Sequence, residues 1–91
     1  ATATDKRQSA AIKLSKEVDM MIVVGGRNSA NTTRLAQLCT EHCVTHHIET
    51  VDELHDDWFN NIKKIGITAG ASTPDWIIKE VYEKCKTWQA Y

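Results

Sequence analysis

The sequence lacks any excess of positive charge. Lys and Arg number 11 against 12 Asp and Glu, for a formal net charge of −1. A nucleic acid or an anionic membrane surface would therefore find no electrostatic footprint here. A long apolar run is missing too. The longest, Met20 to Val24, is far too short to span a bilayer, and residues 1–20 hold no apolar stretch of the kind a secretory signal needs. Cysteine is scarce and odd in number (Cys39, Cys43 and Cys85), without disulfide-scaffold spacing. A reducing, cytoplasmic setting is the expectation. Proline occurs once, at Pro74, and no linker, repeat or low-complexity stretch divides the chain. Ninety-one residues at 42% hydrophobic and 25% charged suit one small domain with one core. The chain opens without Met, at Ala1-Thr2-Ala3-Thr4, and reads as a piece of something longer.

What is present is organised around Met20-Met21-Ile22-Val23-Val24-Gly25-Gly26-Arg27-Asn28-Ser29-Ala30-Asn31. A β-branched run stops at two glycines, and small polar residues able to start a helix follow. Such a strand–turn–helix joint gathers free backbone N–H groups and the positive end of a helix dipole around a small volume. That volume suits a phosphate or carboxylate. Ile65-Gly66-Ile67-Thr68-Ala69-Gly70-Ala71-Ser72-Thr73-Pro74 is a second joint of the same kind. The two are expected to form one anion site.

In chain order, Thr4 is the expected N-cap of a first helix, with Asp5 in its first turn. Ala3, Ala10, Ala11, Leu14 and Val18 form its apolar face. Met20–Val24 is apolar without alternation, as expected of a central parallel strand covered on both faces. Asn28, Ser29 or Asn31 caps a second helix bearing Leu35, Leu38 and Cys39. A weaker strand over Cys43–Ile48 belongs at an edge. Thr50 and Glu53 have capping-box spacing, and Trp58 and Phe59 lie in a short helical turn that docks on the sheet. Lys63–Thr68 is the third strand, its Gly66 marking a close backbone approach. Thr73 as N-cap, Pro74 at the first helical position and Asp75 then open the last helix. The whole predicts a small three-layer α/β domain over residues 1–91. Its mainly parallel sheet has about three strands, with Met20–Val24 in the middle. A crevice is expected between the Met20–Val24 and Ile65–Thr68 strands, at their C-terminal ends.

Gly25 and Gly26 let the backbone approach a ligand there, with Asn28 and Ser29 adding an amide and a hydroxyl. Gly70, Ser72 and Thr73 offer the same kit from the other lip. These are neutral donors, which hold a phosphate by hydrogen bonds and dipoles rather than ion pairs. Turns and caps alone explain either stretch taken singly, and it is the pair facing one crevice that favours a site. Neither joint is a Walker loop or a dinucleotide turn. Arg27 flanks the first joint, though a solvated surface arginine is the commoner outcome. Thr2 and Thr4 are candidates because, if a strand ends just upstream, a third helix start would face the same crevice. Cys39, His42, Cys43, His46 and His47 invite a zinc reading, but there is no Cys-x-x-Cys pair, and the histidines straddle a helix–strand change.

Arg7-Gln8, the stretch Ile22 to Thr32 with Arg34-Leu35, and Gly66-Ile67-Thr68-Ala69-Gly70-Ala71-Ser72-Thr73-Pro74 together resemble the 4-hydroxy-3-methylbut-2-enyl diphosphate reductase (LytB) family. The resemblance runs over nearly the whole chain but covers only that family's C-terminal domain. It implies an iron–sulfur reductase of the non-mevalonate isoprenoid pathway, whose three α/β domains surround a cavity holding the cluster and the substrate diphosphate. Positions matching Ser29, Asn31 and Ser72 contact that diphosphate. Ala30 stands where the family commonly has a second serine, and Ala1 aligns with the family's third cluster cysteine. Cys39, Cys43 and Cys85 match no cluster position.

The parent activity thus implied is reductive dehydroxylation of 4-hydroxy-3-methylbut-2-enyl diphosphate to isopentenyl and dimethylallyl diphosphates, with electrons from a donor protein. The upstream domains are absent from this chain, and the isolated piece is expected to lack turnover and to carry no cluster. A rival from another class is a free-standing α/β module that binds a phosphometabolite or a protein without redox chemistry.

Overall fold

The computed structural model describes residues 3–60, 62–70 and 73–89, the side chains of 3–7 and 87–89 excepted. The order is α1 (Ala3–Ser15), β1 (Met20–Val24), α2 (Ala30–Thr40), β2 (Val44–Ile48), two short 3₁₀ turns (Val51–Glu53 and Asp56–Phe59), β3 (Ile65–Ala69) and α3 (Asp75–Gln89). The strands form one parallel sheet in the order β2-β1-β3. Every residue of β1 is fully buried. This is why the strand is apolar on both of its faces.

The two faces carry separate cores. Met21 and Val23 meet Ala11, Leu35 and Cys39 beneath α1 and α2. Met20, Ile22 and Val24 meet Ile48, Leu54, Ala69, Val81 and Cys85, with Trp58 and Phe59 packed against them from the second 3₁₀ turn. The crossover between β1 and β2 therefore lies on one face, and that between β2 and β3 on the other. Winding reverses at β1, and in open α/β sheets ligands bind at the C-terminal strand ends of such a reversal, which here is the β1/β3 boundary. The start of β3 is fastened by Asp19, whose Oδ2 accepts the Lys63 and Lys64 N–H groups at 3.1 and 3.2 Å. Gly66 is the close approach its type implied: a Cβ there would lie 2.9 Å from Leu14 on α1.

Three local expectations are corrected. Helix α1 already includes Ala3, so Thr4 lies inside the first turn and is not its N-cap. Ala10 faces solvent, and Ser15 takes the buried place on α1, its Oγ satisfied by the Ile12 carbonyl at 2.6 Å. At the last helix, the Pro74 carbonyl accepts the first i→i+4 bond, from Ile78 at 3.4 Å. Pro74 is thus the cap residue rather than the first helical one, and Thr73 stands outside the helix.

Candidate functional site

The first joint is built by a turn and a cap. The Gly25 N–H continues the ladder to the Ile48 carbonyl at 2.9 Å, and the Ser29 N–H closes a turn on Gly26 O at 3.0 Å. Ser29 is extended and acts as the N-cap of α2, its Oγ accepting from the Thr32 N–H at 3.3 Å. This use of the oxygen leaves the Ser29 hydroxyl proton free to donate outward. By helix geometry the Ala30 and Asn31 N–H groups, in the first turn, have no intrahelical acceptor. Asn28, Ala30 and Asn31 are exposed on the rim.

The second joint leans on the first. Gly70 donates its N–H to Val24 O at 3.1 Å, and Thr73 closes a turn on Gly70 O at 3.1 Å. The Thr73 hydroxyl also donates to Val24 O, at 2.9 Å. This corrects the expectation that Thr73 offers a ligand donor from the second lip, because its proton is spent on the strand end. Ser72 and Thr2 lie outside the described residues. Thr4 is in the first turn of α1, its side chain likewise outside them.

The residue that joins the two lips is Thr32. Its side chain is fully buried and its Oγ1 has no hydrogen-bond partner among the described residues. A Cβ on Gly25 would sit 2.7 Å from Thr32 Cγ2 and Oγ1, and one on Gly70 would overlap the Thr32 hydroxyl outright. Both glycines are therefore required by one threonine, which locks strand ends β1 and β3 at contact distance. Sequence reasoning missed Thr32. Its position three residues after the cap, on the buried face of α2, was the available signal.

Arg27 is turned away from the crevice. Its guanidinium pairs with Glu49 Oε1 at 2.9 Å and with Glu53, and its backbone N–H donates to Glu49 Oε2 at 3.0 Å. The hydrogen bond from Arg27 is the main cause holding the Glu53 carboxyl below its ordinary pKa, and that same bond raises the arginine's. Glu53 completes the capping box anticipated at Thr50, accepting the Thr50 and Glu49 N–H groups at 3.2 and 2.8 Å. His47 Nε2 lies 2.9 Å from Gly25 O, a bond in which the ring N–H donates.

The cysteines divide between the two sheet faces, whereas His46 and His55 meet at Trp58. Cys39 is buried between α1 and α2, with Sγ 3.8 Å from Ala11 O, whereas Cys85 is buried on the opposite sheet face. Burial raises the thiol pKa of Cys39 and Cys43, and pushes Cys85 up to about 11. His46 stacks on Trp58 with ring centroids 3.8 Å apart, and His55 meets the same ring edgewise at 4.9 Å. Among the described residues no three His, Cys, Asp or Glu side chains are grouped to hold a metal ion. These residues do not fit an iron–sulfur cluster, and no redox step is assigned to them. No helix among the described residues is long and apolar enough to cross a membrane.

Comparison with known proteins shows the family and the fold. A family model described as LytB protein matches residues 1–86. The 4-hydroxy-3-methylbut-2-enyl diphosphate reductase of Syntrophotalea carbinolica is 57% identical over 83 residues, covering 90% of this chain and 30% of its own length. That of Clostridium perfringens is 52% identical over 88 residues, covering 93% and 31%. A solved structure of (E)-4-hydroxy-3-methyl-but-2-enyl diphosphate reductase, described as the terminal enzyme of the non-mevalonate pathway, superposes with a TM-score of 0.91 at 50% identity. It covers 93% of this chain and 31% of its own. The corresponding reductase of Plasmodium falciparum gives 0.89 at 29% identity, covering 94% and 27%. The chain thus spans about 30% of the length of the relatives it matches.

Proposed function

The chain belongs to the LytB family, and on that premise we propose that it is the diphosphate-anchoring domain of a 4-hydroxy-3-methylbut-2-enyl diphosphate reductase. The observation that carries this reading is the convergence of two glycine joints on Thr32. One crevice is thereby lined by the cap of α2 on one side and the Gly70–Thr73 turn on the other. Ser29 donates its free hydroxyl proton to a phosphate oxygen, and Asn31 offers its side-chain amide and backbone N–H. Ser72, outside the described residues, is the position whose family match implies a second hydroxyl contact. Ala30, which has no side-chain donor, contributes only its backbone N–H. Asn28, exposed beside the cap, is a secondary candidate, as are Thr2 and Thr4 from the sequence.

All of these donors are neutral, so the anion is held by hydrogen bonds and the dipole of α2 rather than by ion pairing. Anchoring at the diphosphate positions the reacting allylic end of the substrate for chemistry performed elsewhere in the enzyme. The iron–sulfur cluster that the family implies would supply electrons for loss of the substrate hydroxyl, drawn from a donor protein, and none of the described residues of this chain would hold it. The small-molecule diphosphate is the partner this chain handles, in a cytoplasmic enzyme, and the isolated domain turns nothing over.

The test is calorimetric titration of inorganic diphosphate into the whole reductase and into its Ser29→Ala and Ser72→Ala forms. Loss of one hydrogen bond to a charged ligand is worth about 1.5–3 kcal/mol, so each substitution is expected to weaken binding about tenfold or more. Unchanged affinity in both forms overturns the reading.

A further inference from the structure

We infer that Arg27, Glu49 and Glu53 form a positioning latch that holds the Gly25–Ser29 turn in its anion-receiving shape from outside the crevice. The inference rests on the diphosphate-anchoring reading and deepens it. Arg27 is the cation nearest in sequence to the first joint, yet it binds two carboxylates instead of facing the anion. Counting Arg27 as +1 and Glu49 and Glu53 as −1 each, the trio carries a net −1. It cannot serve as an attractor for phosphate.

Its connections are those of a clamp. Glu49 takes both the backbone N–H and the guanidinium of Arg27, at 3.0 and 2.9 Å, so one carboxylate fixes main chain and side chain together. Glu53 holds the other guanidinium nitrogen. Glu53 is itself pinned by the Glu49 and Thr50 N–H groups at 2.8 and 3.2 Å. Two residues earlier, the Gly25 carbonyl is held by His47 Nε2 at 2.9 Å. The turn thus hangs from the end of β2 and the 3₁₀ turn after it, residues 22 to 26 positions away in sequence.

The physical need is specific to a site of neutral donors. Without a cation to draw the ligand in, affinity depends on N–H and O–H groups already aimed at it. A turn containing two glycines is expensive to order at the moment of binding. Gly26 is the freest of them: a Cβ there would find nothing nearer than Glu49 Oε2 at 3.7 Å. The latch supplies the rigidity that packing does not.

The experiment uses the whole holoenzyme, with KM for substrate, kcat and the Kd of inorganic diphosphate as readouts. Glu49→Ala is expected to raise both KM and the diphosphate Kd about fivefold while leaving kcat within about twofold, as loss of preorganised ground-state binding requires. Arg27→Gln should do the same. The double form Arg27→Gln/Glu53→Gln restores the net −1 of the native trio, so recovery of native affinity would show an electrostatic effect and overturn the latch. Arg27→Lys, which keeps the charge and the backbone N–H, should recover affinity in part. A fall in melting temperature with KM and Kd unchanged would show a purely structural role and also overturn it. Ser29→Ala separates the two readings. If it leaves diphosphate binding intact, the anchoring site itself fails. If it weakens binding while Glu49→Ala does not, only the latch fails.

Discussion

The two strand–turn–helix joints look alike in sequence and are held by different physics. The first, Gly25 to Ser29, is shaped by polar ties to β2: the His47 bond to Gly25 O, the Arg27–Glu49–Glu53 cluster and the Ser29 cap. The second, Gly70 to Thr73, has no such outrigger among the described bonds. It is fastened to the end of β1 by two donors, the Gly70 N–H and the Thr73 hydroxyl, that share the Val24 carbonyl. Thr32 fills the space between them. The first joint therefore keeps its shape through long-range polar contacts at the surface. The second inherits its shape from the first through buried contact, so injury to their shared centre should damage both.

The largest expected effect comes from that centre. Gly70→Ala forces a methyl into the Thr32 side chain, and overpacking of this kind costs about 1–3 kcal/mol. A melting temperature lower by several degrees should accompany it. Gly25→Ala should behave alike, whereas Gly26→Ala, with nothing within 3.7 Å, should leave the melting temperature almost unchanged. Equal losses at Gly25 and Gly26 would break the comparison.

Next in size is Thr73→Val, which removes the hydroxyl bond to Val24 O at a cost of about 1 kcal/mol. Denaturant unfolding should show it, and Thr73→Ser should restore most of the loss. Were Thr73 a helix cap instead, as its place before Pro74 first suggests, Thr73→Asp would restore stability as well as serine does.

Thr32→Val tests the same centre with the opposite sign. The Thr32 hydroxyl is buried without a partner among the described residues, so an apolar isostere relieves a desolvation penalty and should raise stability by up to about 1 kcal/mol. A clear loss on Thr32→Val would mean that the hydroxyl is bonded.

The smallest effect concerns the edge that carries the latch. Burial, and secondly the charge of His55, lower the pKa of His46 from its ordinary 6.5. As pH falls, the unfolded chain takes up this proton first, so stability declines from about 6.5 downward through the lowered value. His46→Gln should flatten that part of the pH profile. Glu53 has the depressed pKa of a paired carboxylate. Its contribution is present above the ordinary value of 4.5 and is lost as pH drops through the folded one, so the latch should loosen only in acid.

Much of the frame was legible because local pattern and global fold agree. The unbroken apolar run Met20–Val24 announced a strand covered on both faces, and the structure buries all five residues. With short connections, right-handed crossovers left little choice but the order β2-β1-β3. Gly66 signalled its contact with Leu14. What escaped reading were choices between local and distant partners. Thr73 has the right type and place to cap α3, but the Val24 carbonyl, 49 positions away, takes its hydroxyl. Arg27 offered no hint that Glu49 and Glu53 would claim it. The Thr50–Glu53 capping box was visible locally, yet only one Glu53 oxygen closes it while the other holds Arg27. A side chain with two acceptors can serve two masters, and sequence spacing reveals only the near one.

The measurement that reaches the central claim most directly is an amide chemical-shift titration of the chain with inorganic diphosphate, repeated on Ser29→Ala. The account predicts saturable shifts confined to residues 25–32 and 68–75, weakened by the substitution, because two joints converging on Thr32 make one anion site. Shifts scattered over the surface, or confined to one joint alone, would contradict it.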